Sequence, residues 1–236
     1  MQAKKIIGDY PFYWINLDRC QDRKERIEKL FDDNNITNHK RIKAIDGQEI
    51  NFNEYKEKYN VSSTISVYEL ACCLSHIKAI ETAYNDDQEY ALITEDDCNF
   101  DYIKYQTIPI NELIENVDPK WDIIQLSVIH NYKKLANYSN TDKLFINGST
   151  NGAHCYLINR IGMLKVINFL KQQIEIQVSE QFILKNLNTY MTKPYFSYYY
   201  FYDNCKSHIR ENTKAALSIQ TKNKIHWDEY YTNLHK

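Results

Sequence analysis

Apolar and polar positions along the chain alternate in blocks whose lengths fit a repeating order of strands and helices. Compact apolar runs, or runs with a two-residue period, predict strands over residues 12–17, 41–45, 90–94, 121–126 and 155–158. Apolar positions three and four residues apart predict helices over about 20–34, 66–80, 160–172 and 178–187. Strands separated by helical crossovers predict an α/β fold with a mostly parallel central sheet and helices on both faces.

Two of the predicted helices carry a start signal. Asp22 with Glu25, and Ser66 with Glu69, have the spacing of a capping box, in which an N-cap side chain and an acidic residue three positions later satisfy each other's backbone N–H groups. Residues 48–64, in contrast, are polar and rich in Tyr and Lys, which predicts an excursion from the sheet and helices.

Composition narrows the class of protein. The 236 residues contain no internal repeat and no Pro/Gly/Ser-rich linker, so a single domain is expected. The formal net charge of −2 disfavours a protein that coats nucleic acid or an anionic membrane. No apolar run reaches the roughly 18 residues of a membrane span, and the first residues lack the apolar core of a signal peptide.

The counts of glycine and cysteine exclude several kinds of site. The five glycines form neither a P-loop nor a dinucleotide-binding fingerprint, so any bound nucleotide is held by side chains. The six cysteines include no C-x-x-C pair and no familiar His/Cys zinc spacing. They are expected to be small buried thiols of an intracellular, cytoplasmic protein.

The strongest chemical signal is the acidic triplet Glu95–Asp96–Asp97, which directly follows a predicted strand. Ligands of open α/β sheets bind beyond the carboxyl ends of the strands, and carboxylates are the ligands that Mg²⁺ and Mn²⁺ prefer. In an extended segment the first and third acids point the same way, so Glu95 and Asp97 are expected to share a site while Asp96 turns aside. Judged by spacing alone, a solvated acidic turn is an equally good interpretation.

A wider resemblance favours the site over the turn. The blocks FYWINLDRCQDRKERIEKLF, RIKAIDG, YELACCLSHIKAIETA, YALITEDD, WDIIQLS and GAHCYLINRIGM occur in this order between about residues 12 and 170. Together they resemble glycosyltransferase family 25, which includes bacterial lipopolysaccharide glycosyltransferases and collagen hydroxylysine galactosyltransferases. The resemblance implies a GT-A-type nucleotide-diphospho-sugar transferase fold in one domain, with a nucleotide-sugar-binding half over about 1–130 and an acceptor-binding half over about 131–236.

The resemblance also implies a reaction and its partners. A hexose, most often galactose or glucose, is transferred from a UDP-sugar to a hydroxyl of a glycan or a hydroxylysine-type, collagen-like acceptor, with inversion of configuration. The expected cofactor is Mn²⁺, with Mg²⁺ as an alternative, bound at a DxD-type acidic motif. Neither a nucleic acid partner nor a transmembrane segment is expected, and the sequence does not indicate an oligomeric state.

Individual roles follow from the matching positions. Asp97 is the expected metal ligand, with Glu95 as the second ligand and His208 as a third, while Asp96 is expected on the ribose of the donor. The residues expected to bind the donor are Asn16, Asp18, Arg19, Ser75, His76, Lys78, Glu95, Asp96, Gly152 and His154. Surface charge at a helix start remains an alternative for Arg19, a structural role for His76, and core packing for the block that contains Gly152 and His154.

The general base is the least defined part of the predicted site. Glu180 stands near the position where the family commonly has an Asp, and Asp203 is the other candidate. Because of this departure, a catalytically idle relative that binds a nucleotide sugar or a glycan as a recognition module remains an alternative. A metal-dependent phosphohydrolase is disfavoured, because a two-metal site needs several more Asp and His ligands at strand ends.

Overall fold

The computed structural model describes residues 2–100, 103–127, 145–149 and 152–192, together with residues 228, 229 and 232. In these residues the longer helices are α1 (Gln2–Ile7), α2 (Gln21–Asp33), α3 (Phe52–Lys58), α4 (Val67–Asn85), α5 (Ile110–Asn116) and α6 (Arg160–Lys171). The strands are β1 (Phe12–Asn16), β2 (His39–Lys43), β3 (Tyr90–Glu95), β4 (Ile123–Gln125), β5 (Phe145–Asn147), β6 (Cys155–Asn159) and β7 (Thr189–Thr192). A 3₁₀ turn (Ile103–Tyr105) and a π-helical turn (Glu180–Leu184) are also present.

The described strands form one sheet in the order β2-β1-β3-β6-β4-β7-β5. Five of them run in one direction, whereas β5 and β6 run in the other. The prediction of an α/β fold with a mostly parallel sheet is therefore confirmed, although the reversal of β6 was not expected. Because β6 lies antiparallel between β3 and β4, its first residues lie at the edge where those two strands end.

Side chains on the two faces of the sheet build two separate hydrophobic cores. In β1, Tyr13 and Ile15 enter one core, whereas Phe12 and Trp14 enter the other, as the two-residue period of a strand requires. Helices α4 and α6 cover the first face, and α1, α2 and α5 cover the second. Helices lie on both faces, as predicted.

Only one of the two predicted capping boxes forms. The Ser66 hydroxyl accepts a hydrogen bond from the Glu69 N–H at 3.2 Å, and the Glu69 carboxylate accepts one from the Ser66 N–H at 2.8 Å. Helix α2 instead begins after Cys20, which makes no side-chain cap hydrogen bond. The prediction of a box at Asp22 was wrong, because that residue already lies inside the first turn.

Two further expectations need correction. Residues 48–64, predicted as an excursion, contain the helix α3. The side chain of its N-cap residue Asn51 accepts a hydrogen bond from the Asn53 N–H at 3.2 Å. The helix predicted over 178–187 is reduced to the π-helical turn. That turn is nevertheless anchored, because the side chains of Phe182, Ile183 and Leu184 are buried in the core under α4 and α6.

Helix α6 follows β6 without a loop. Asn159 ends the strand and also caps the helix, where its side chain accepts a hydrogen bond from the Gly162 N–H at 2.8 Å. Gly162 packs against the chain before β4, and a Cβ at this position would lie 2.9 Å from the Asp122 carbonyl oxygen. The buried Asp122 carboxylate is paired with the Lys165 ammonium at 2.7 Å, which ties α6 to the sheet.

Candidate functional site

Buried polar side chains gather where β1, β3 and β4 end. Asn16, Gln125 and Ser127 lie at or just beyond the last residues of β1 and β4, and each is almost completely buried. Asp96 and Asp97 follow β3 and are also buried. This edge of the sheet is the position at which α/β folds bind their ligands, so the structure places the predicted polar residues where a site is expected.

On the α2 side of the sheet lies a group of four residues, which we call the acid–arginine cluster: Asn16, Arg23, Asp96 and Asp97. The Arg23 guanidinium from α2 binds the carboxylates of both Asp96, at 2.5 Å, and Asp97. The Asn16 amide donates a hydrogen bond to Asp96 Oδ2 at 2.6 Å, and the Arg26 guanidinium donates one to the Asp96 carbonyl at 2.8 Å. One cation thus holds two adjacent acids together.

The two acids of this cluster differ in their electrostatics. Burial raises the pKa of Asp96 to about 7, with a further contribution from the neighbouring Asp97 charge and against the lowering effect of Arg23. Asp97 has one buried carboxylate oxygen, Oδ1, with no hydrogen-bond partner among the described residues. A buried oxygen of this kind fits a hard divalent cation, which takes carboxylate ligands.

Two groups of ion pairs follow β1, and one of them contacts the acid–arginine cluster through a hydrogen bond from Arg41 to Asn16 Oδ1 at 2.7 Å. Asp18 is paired with Arg41 at 2.8 Å and with Lys43 at 2.7 Å, and these two partners lower its pKa. Arg19 is paired with Asp46 at 2.6 Å. The predicted donor-binding residues that follow β1 are therefore brought to one place, and the structure links them through charge pairs of mixed exposure.

On the α4 side of the sheet lies a second group, which we call the histidine cluster: Cys72, His76, Glu95 and Tyr156. His76 is completely buried, with Nε2 3.4 Å from Glu95 Oε1 and Nδ1 3.2 Å from the Tyr156 hydroxyl. Cys72 lies one helical turn before His76, and the potential ligand atoms of Cys72, His76 and Glu95 all lie within 4.8 Å of one another. These three residues could hold a metal ion together.

The histidine cluster keeps its carboxylate charged and its thiol protonated. Burial by itself raises the pKa of Glu95, but the nearby His154 and His76 outweigh it and lower the pKa to about 2. Burial and the neighbouring negative charge of Glu95 raise the pKa of the Cys72 thiol well above its ordinary value. Such a thiol is a poor nucleophile on its own, since the thiolate is the reactive form.

The predicted residues of the C-terminal half approach the same edge from β6 and the π-helical turn. The Gly152 N–H donates a hydrogen bond to Glu180 Oε1 at 3.2 Å, and the Gly152 carbonyl accepts one from the Gln125 amide at 2.7 Å. The His154 carbonyl accepts a hydrogen bond from the Glu95 N–H at 3.0 Å. The Gly152 backbone therefore links Glu180 to the end of β4, and the His154 carbonyl binds the end of β3.

Two predicted residues of α4 bind backbone groups. The buried Ser75 hydroxyl donates to the Ala71 carbonyl at 2.7 Å and accepts from the Ile45 N–H at 2.8 Å. Lys78 is exposed, and its ammonium donates to the Lys43 carbonyl at 2.9 Å. Both contacts fasten α4 to the segment at the end of β2. Asp203 and His208 lie outside the described residues.

The expected pairing within the acidic triplet is not the observed one. The alternation of an extended segment directs Glu95 and Asp97 to one side, but β3 ends at Glu95 and the next two residues lie in a turn. Asp97 consequently joins Asp96 on Arg23, while Glu95 faces His76.

Neither cluster is predicted with its full set of partners. Arg23 was not assigned to the acids, and Cys72 and Tyr156 were not included in any site. The four-residue spacing of Cys72 and His76 was an available signal, because residues four apart on a helix share a face.

The mixed α/β sheet with helices on both faces, and with polar residues gathered where β1, β3 and β4 end, is consistent with a GT-A-like fold. The sequence matches the family "Glycosyltransferase family 25 (LPS biosynthesis protein)" over residues 9–183, about three quarters of the chain. The chain belongs to this family. The match includes both clusters and reaches the π-helical turn that contains Glu180. Among the described residues, no helix is long and apolar enough to cross a lipid bilayer.

Proposed function

We propose that this member of glycosyltransferase family 25 transfers a hexose, galactose or glucose, from a UDP-sugar to an acceptor hydroxyl with inversion, and depends on Mn²⁺ or Mg²⁺. The acceptor is a glycan of the lipopolysaccharide type or a hydroxylysine of the collagen type. Family membership supports the glycosyltransferase class. The observation that carries the metal-dependent part is the buried Asp97, whose Oδ1 has no hydrogen-bond partner among the described residues.

The acid–arginine cluster fits a divalent cation of the hard type. Asp97 offers Oδ1 while Arg23 retains its other oxygen, so a cation ligand is available without breaking the ion pair. A cation bound there supplies Lewis-acid stabilisation of the negative charge that develops on a diphosphate leaving group. Asp96 is proposed to bind the ribose, with its carboxylate held in place by Asn16 and Arg23.

The charged and amide side chains that follow β1 support a role in binding the nucleotide. Asn16 and Asp18 are proposed to bind uracil or ribose, and Arg19 and Lys78 to contact the diphosphate. A guanidinium suits phosphate oxygens because it offers several donors in a fixed planar arrangement. The observed ion pair of Arg19 with Asp46 holds this cation beside the segment that follows β2.

Glu180 is the proposed general base among the described residues. Its carboxylate already lies at the site edge, where it accepts hydrogen bonds from the Gly152 N–H at 3.2 Å and from the Ser179 hydroxyl at 3.4 Å. A carboxylate held in this way can accept the proton of an acceptor hydroxyl, a role that typically contributes about 10²–10⁴-fold to a rate. Asp203 is the alternative base, and His208 is proposed as a further metal ligand beside Asp97.

A cytoplasmic location is part of the proposal. The five cysteines that lie in the described residues, namely Cys20, Cys72, Cys73, Cys98 and Cys155, are all free. Free thiols suit a reducing compartment, because disulfides accumulate in oxidising ones.

The decisive experiment measures UDP release from a panel of UDP-sugars in the presence of Mn²⁺ and in the presence of EDTA. The expected result is release from one preferred donor that requires the metal and falls at least 100-fold in Asp97→Asn. The matched control is Asp22→Asn, which makes the same chemical change at an exposed carboxylate on α2, and this variant should retain activity.

Calorimetric titration of the same samples with UDP and Mn²⁺ separates the remaining outcomes. Metal-dependent UDP binding without turnover of any donor, in the presence of glycan and hydroxylysine-peptide acceptors, would favour the catalytically idle relative. Turnover that persists in EDTA and in Asp97→Asn would overturn the metal-dependent mechanism.

A further inference from the structure

We propose that Cys72, His76 and Glu95 form a binding site for a Zn²⁺-class transition-metal ion, separate from the hard-cation position at Asp97. The three residues offer one sulfur, one nitrogen and one oxygen ligand, all within 4.8 Å of one another. The site lies on the α4 side of the sheet and does not involve Arg23 or Asp97. The proposal concerns binding alone and holds whether or not the chain transfers a sugar.

The backbone already arranges the three ligands. Cys72 and His76 are four residues apart on α4, so their side chains leave the same face of the helix, one turn apart. Glu95 is the last residue of β3 and faces α4, as Ala91 and Ile93 do at two-residue intervals before it. Two side chains from one helix and one from the end of a strand thus converge on one point.

The distance between two of the ligand atoms fits tetrahedral coordination. His76 Nε2 and Glu95 Oε1 are 3.4 Å apart. Ligands placed about 2.0–2.1 Å from a tetrahedral Zn²⁺ lie about 3.3–3.4 Å from each other. The thiol sulfur is near enough to complete three corners after a side-chain rotation, which leaves the fourth corner for water or another ligand.

A second layer of contacts orients the histidine. His76 Nδ1 lies 3.2 Å from the Tyr156 hydroxyl, so that nitrogen is engaged and Nε2 is the one that faces Glu95 and Cys72. Metal-binding histidines characteristically use their other ring nitrogen for such a hydrogen bond, which fixes the tautomer and the ring orientation. The rings of His76 and Tyr156 are also stacked, with centroids 5.9 Å apart.

The ligand set also selects the kind of metal. Thiolate and imidazole ligands favour Zn²⁺ and its neighbours in the transition series over Mg²⁺ or Ca²⁺, which prefer oxygen. One thiolate and one carboxylate carry two negative charges, which balance a divalent cation in a place where His76 is completely buried. Because Glu95 faces His76 and Asp97 lies on Arg23, a hard cation at Asp97 and a softer cation here would have separate ligands.

Cobalt titration of the full chain tests the proposal without any donor or acceptor. Co²⁺ reports on the site because a cobalt–thiolate bond gives a sulfur-to-metal charge-transfer band in the near ultraviolet, and Zn²⁺ should abolish the band by displacement. The expected result is a saturable band at one Co²⁺ per chain. Cys72→Ala should lose the band, whereas Cys73→Ala should keep it, since Cys73 is the adjacent cysteine and faces the core.

Further variants distinguish the site from other thiols and from the donor site. Tyr156→Phe should retain the band but weaken Co²⁺ affinity about 10–100-fold, the usual effect of removing an outer hydrogen bond. Glu95→Gln should also weaken affinity at least tenfold, and Asp97→Asn should leave it unchanged. Circular dichroism and thermal unfolding of the metal-free variants establish that each is folded.

Three results would each overturn the proposal: no band in the unmodified chain, a band that persists in Cys72→Ala, or a band that both alanine variants lose equally. The last counts against the site because only Cys72 belongs to the cluster. A loss of Co²⁺ affinity in Asp97→Asn would indicate a single cation position that includes Asp97, and this result would also contradict the proposal.

Discussion

At the scale of single residues, Arg23 explains how three adjacent carboxylates are accommodated at the end of one strand. Asp96 and Asp97 share its guanidinium, and Glu95 turns to the histidines on the other side of the sheet. Like charges at such short range would otherwise force one acid to stay protonated. The raised pKa of Asp96 shows that a single cation does not cancel the whole effect of burial.

Replacing Arg23 by Gln should therefore be strongly destabilising. Removal of one partner from a buried ion pair costs about 3–5 kcal/mol, and we expect a value near 3 kcal/mol because Asp96 can take up a proton. Denaturant unfolding at neutral pH measures the change. The control is Arg19→Gln, which breaks a more exposed pair with Asp46 and should cost at most about 1 kcal/mol. Equal losses in the two variants would contradict the special role of Arg23.

The raised pKa of Asp96 also predicts the sign of a pH effect. Between its ordinary value of 3.8 and the folded value of about 7, the folded chain holds a proton that the unfolded chain has released. Asp96 consequently contributes stability at low pH that is lost as the pH rises through about 7. Unfolding free energies at about pH 4.5 and 7.5 should show a smaller decrease with pH in Asp96→Asn than in the unmodified chain. Asp22→Asn should follow the unmodified chain.

How much of the site the sequence could predict depends on the residue. The acidic triplet stood out because folding gives no reason to cluster carboxylates at a strand end. The division of the triplet between two sides could not be predicted, because it depends on whether β3 ends at Glu95 or one residue earlier. Arg23 and Tyr156 were not assigned because their partners are distant in sequence, at positions 96–97 and 76, respectively.

At the scale of secondary structure, α4 is the element that organises the histidine cluster. Its capping box was predicted and is present, because the helix begins directly after Ser66 and so places Glu69 three positions beyond the N-cap. The box predicted at Asp22 failed because the N-cap is Cys20, two residues earlier, where the Cys20 N–H donates a hydrogen bond to the Leu17 carbonyl at 3.0 Å.

Alanine substitutions separate these two helix starts. Ser66→Ala removes an observed cap and should lower the free energy of unfolding by about 1 kcal/mol. Asp22→Ala should change it by less than about 0.5 kcal/mol, since it removes an exposed side chain that does not cap the helix. Urea denaturation of both variants gives the comparison, and a larger effect at Asp22 would show that the box forms there after all.

Helix α6 offers a test in which local propensity and packing disagree. Alanine normally stabilises a helix interior relative to glycine by roughly 0.5–1 kcal/mol. At Gly162, however, the added methyl group would lie 2.9 Å from the Asp122 carbonyl oxygen. Gly162→Ala should therefore destabilise the chain by about 1–3 kcal/mol in thermal or denaturant unfolding. Ile161→Ala, at the exposed neighbouring position, serves as the control and should have little effect.

At the scale of the whole molecule, the sequence predicted the fold class better than the sheet order. Runs such as 12–17 and 90–94 carry the apolar density of strands buried on both faces, which indicates an α/β sheet. The reversal of β6 leaves no local mark, because Cys155–Asn159 has the same apolar character as its parallel neighbours. Strand direction is determined by how the connecting segments run, and pattern alone does not record that.

Ligand binding should stabilise the molecule as a whole. A ligand that binds only the folded chain adds about 2.7 kcal/mol at a concentration 100 times its dissociation constant. UDP together with Mn²⁺ should therefore raise the melting temperature of the unmodified chain, measured by scanning calorimetry, whereas UDP in EDTA should not. In Asp97→Asn, UDP with Mn²⁺ should leave the melting temperature unchanged. An equal rise in that variant would show that the nucleotide binds without the proposed metal ligand.

One peptide bond, between Glu95 and Asp96, joins the two clusters across the plane of the sheet. Glu95 faces α4 and the next residue faces α2, so a backbone shift at either residue displaces both carboxylates. Any free-energy coupling between occupants of the two sides must be reciprocal. An ion that tightens nucleotide binding from the α4 side would itself be held more firmly once the nucleotide has bound, and by the same factor.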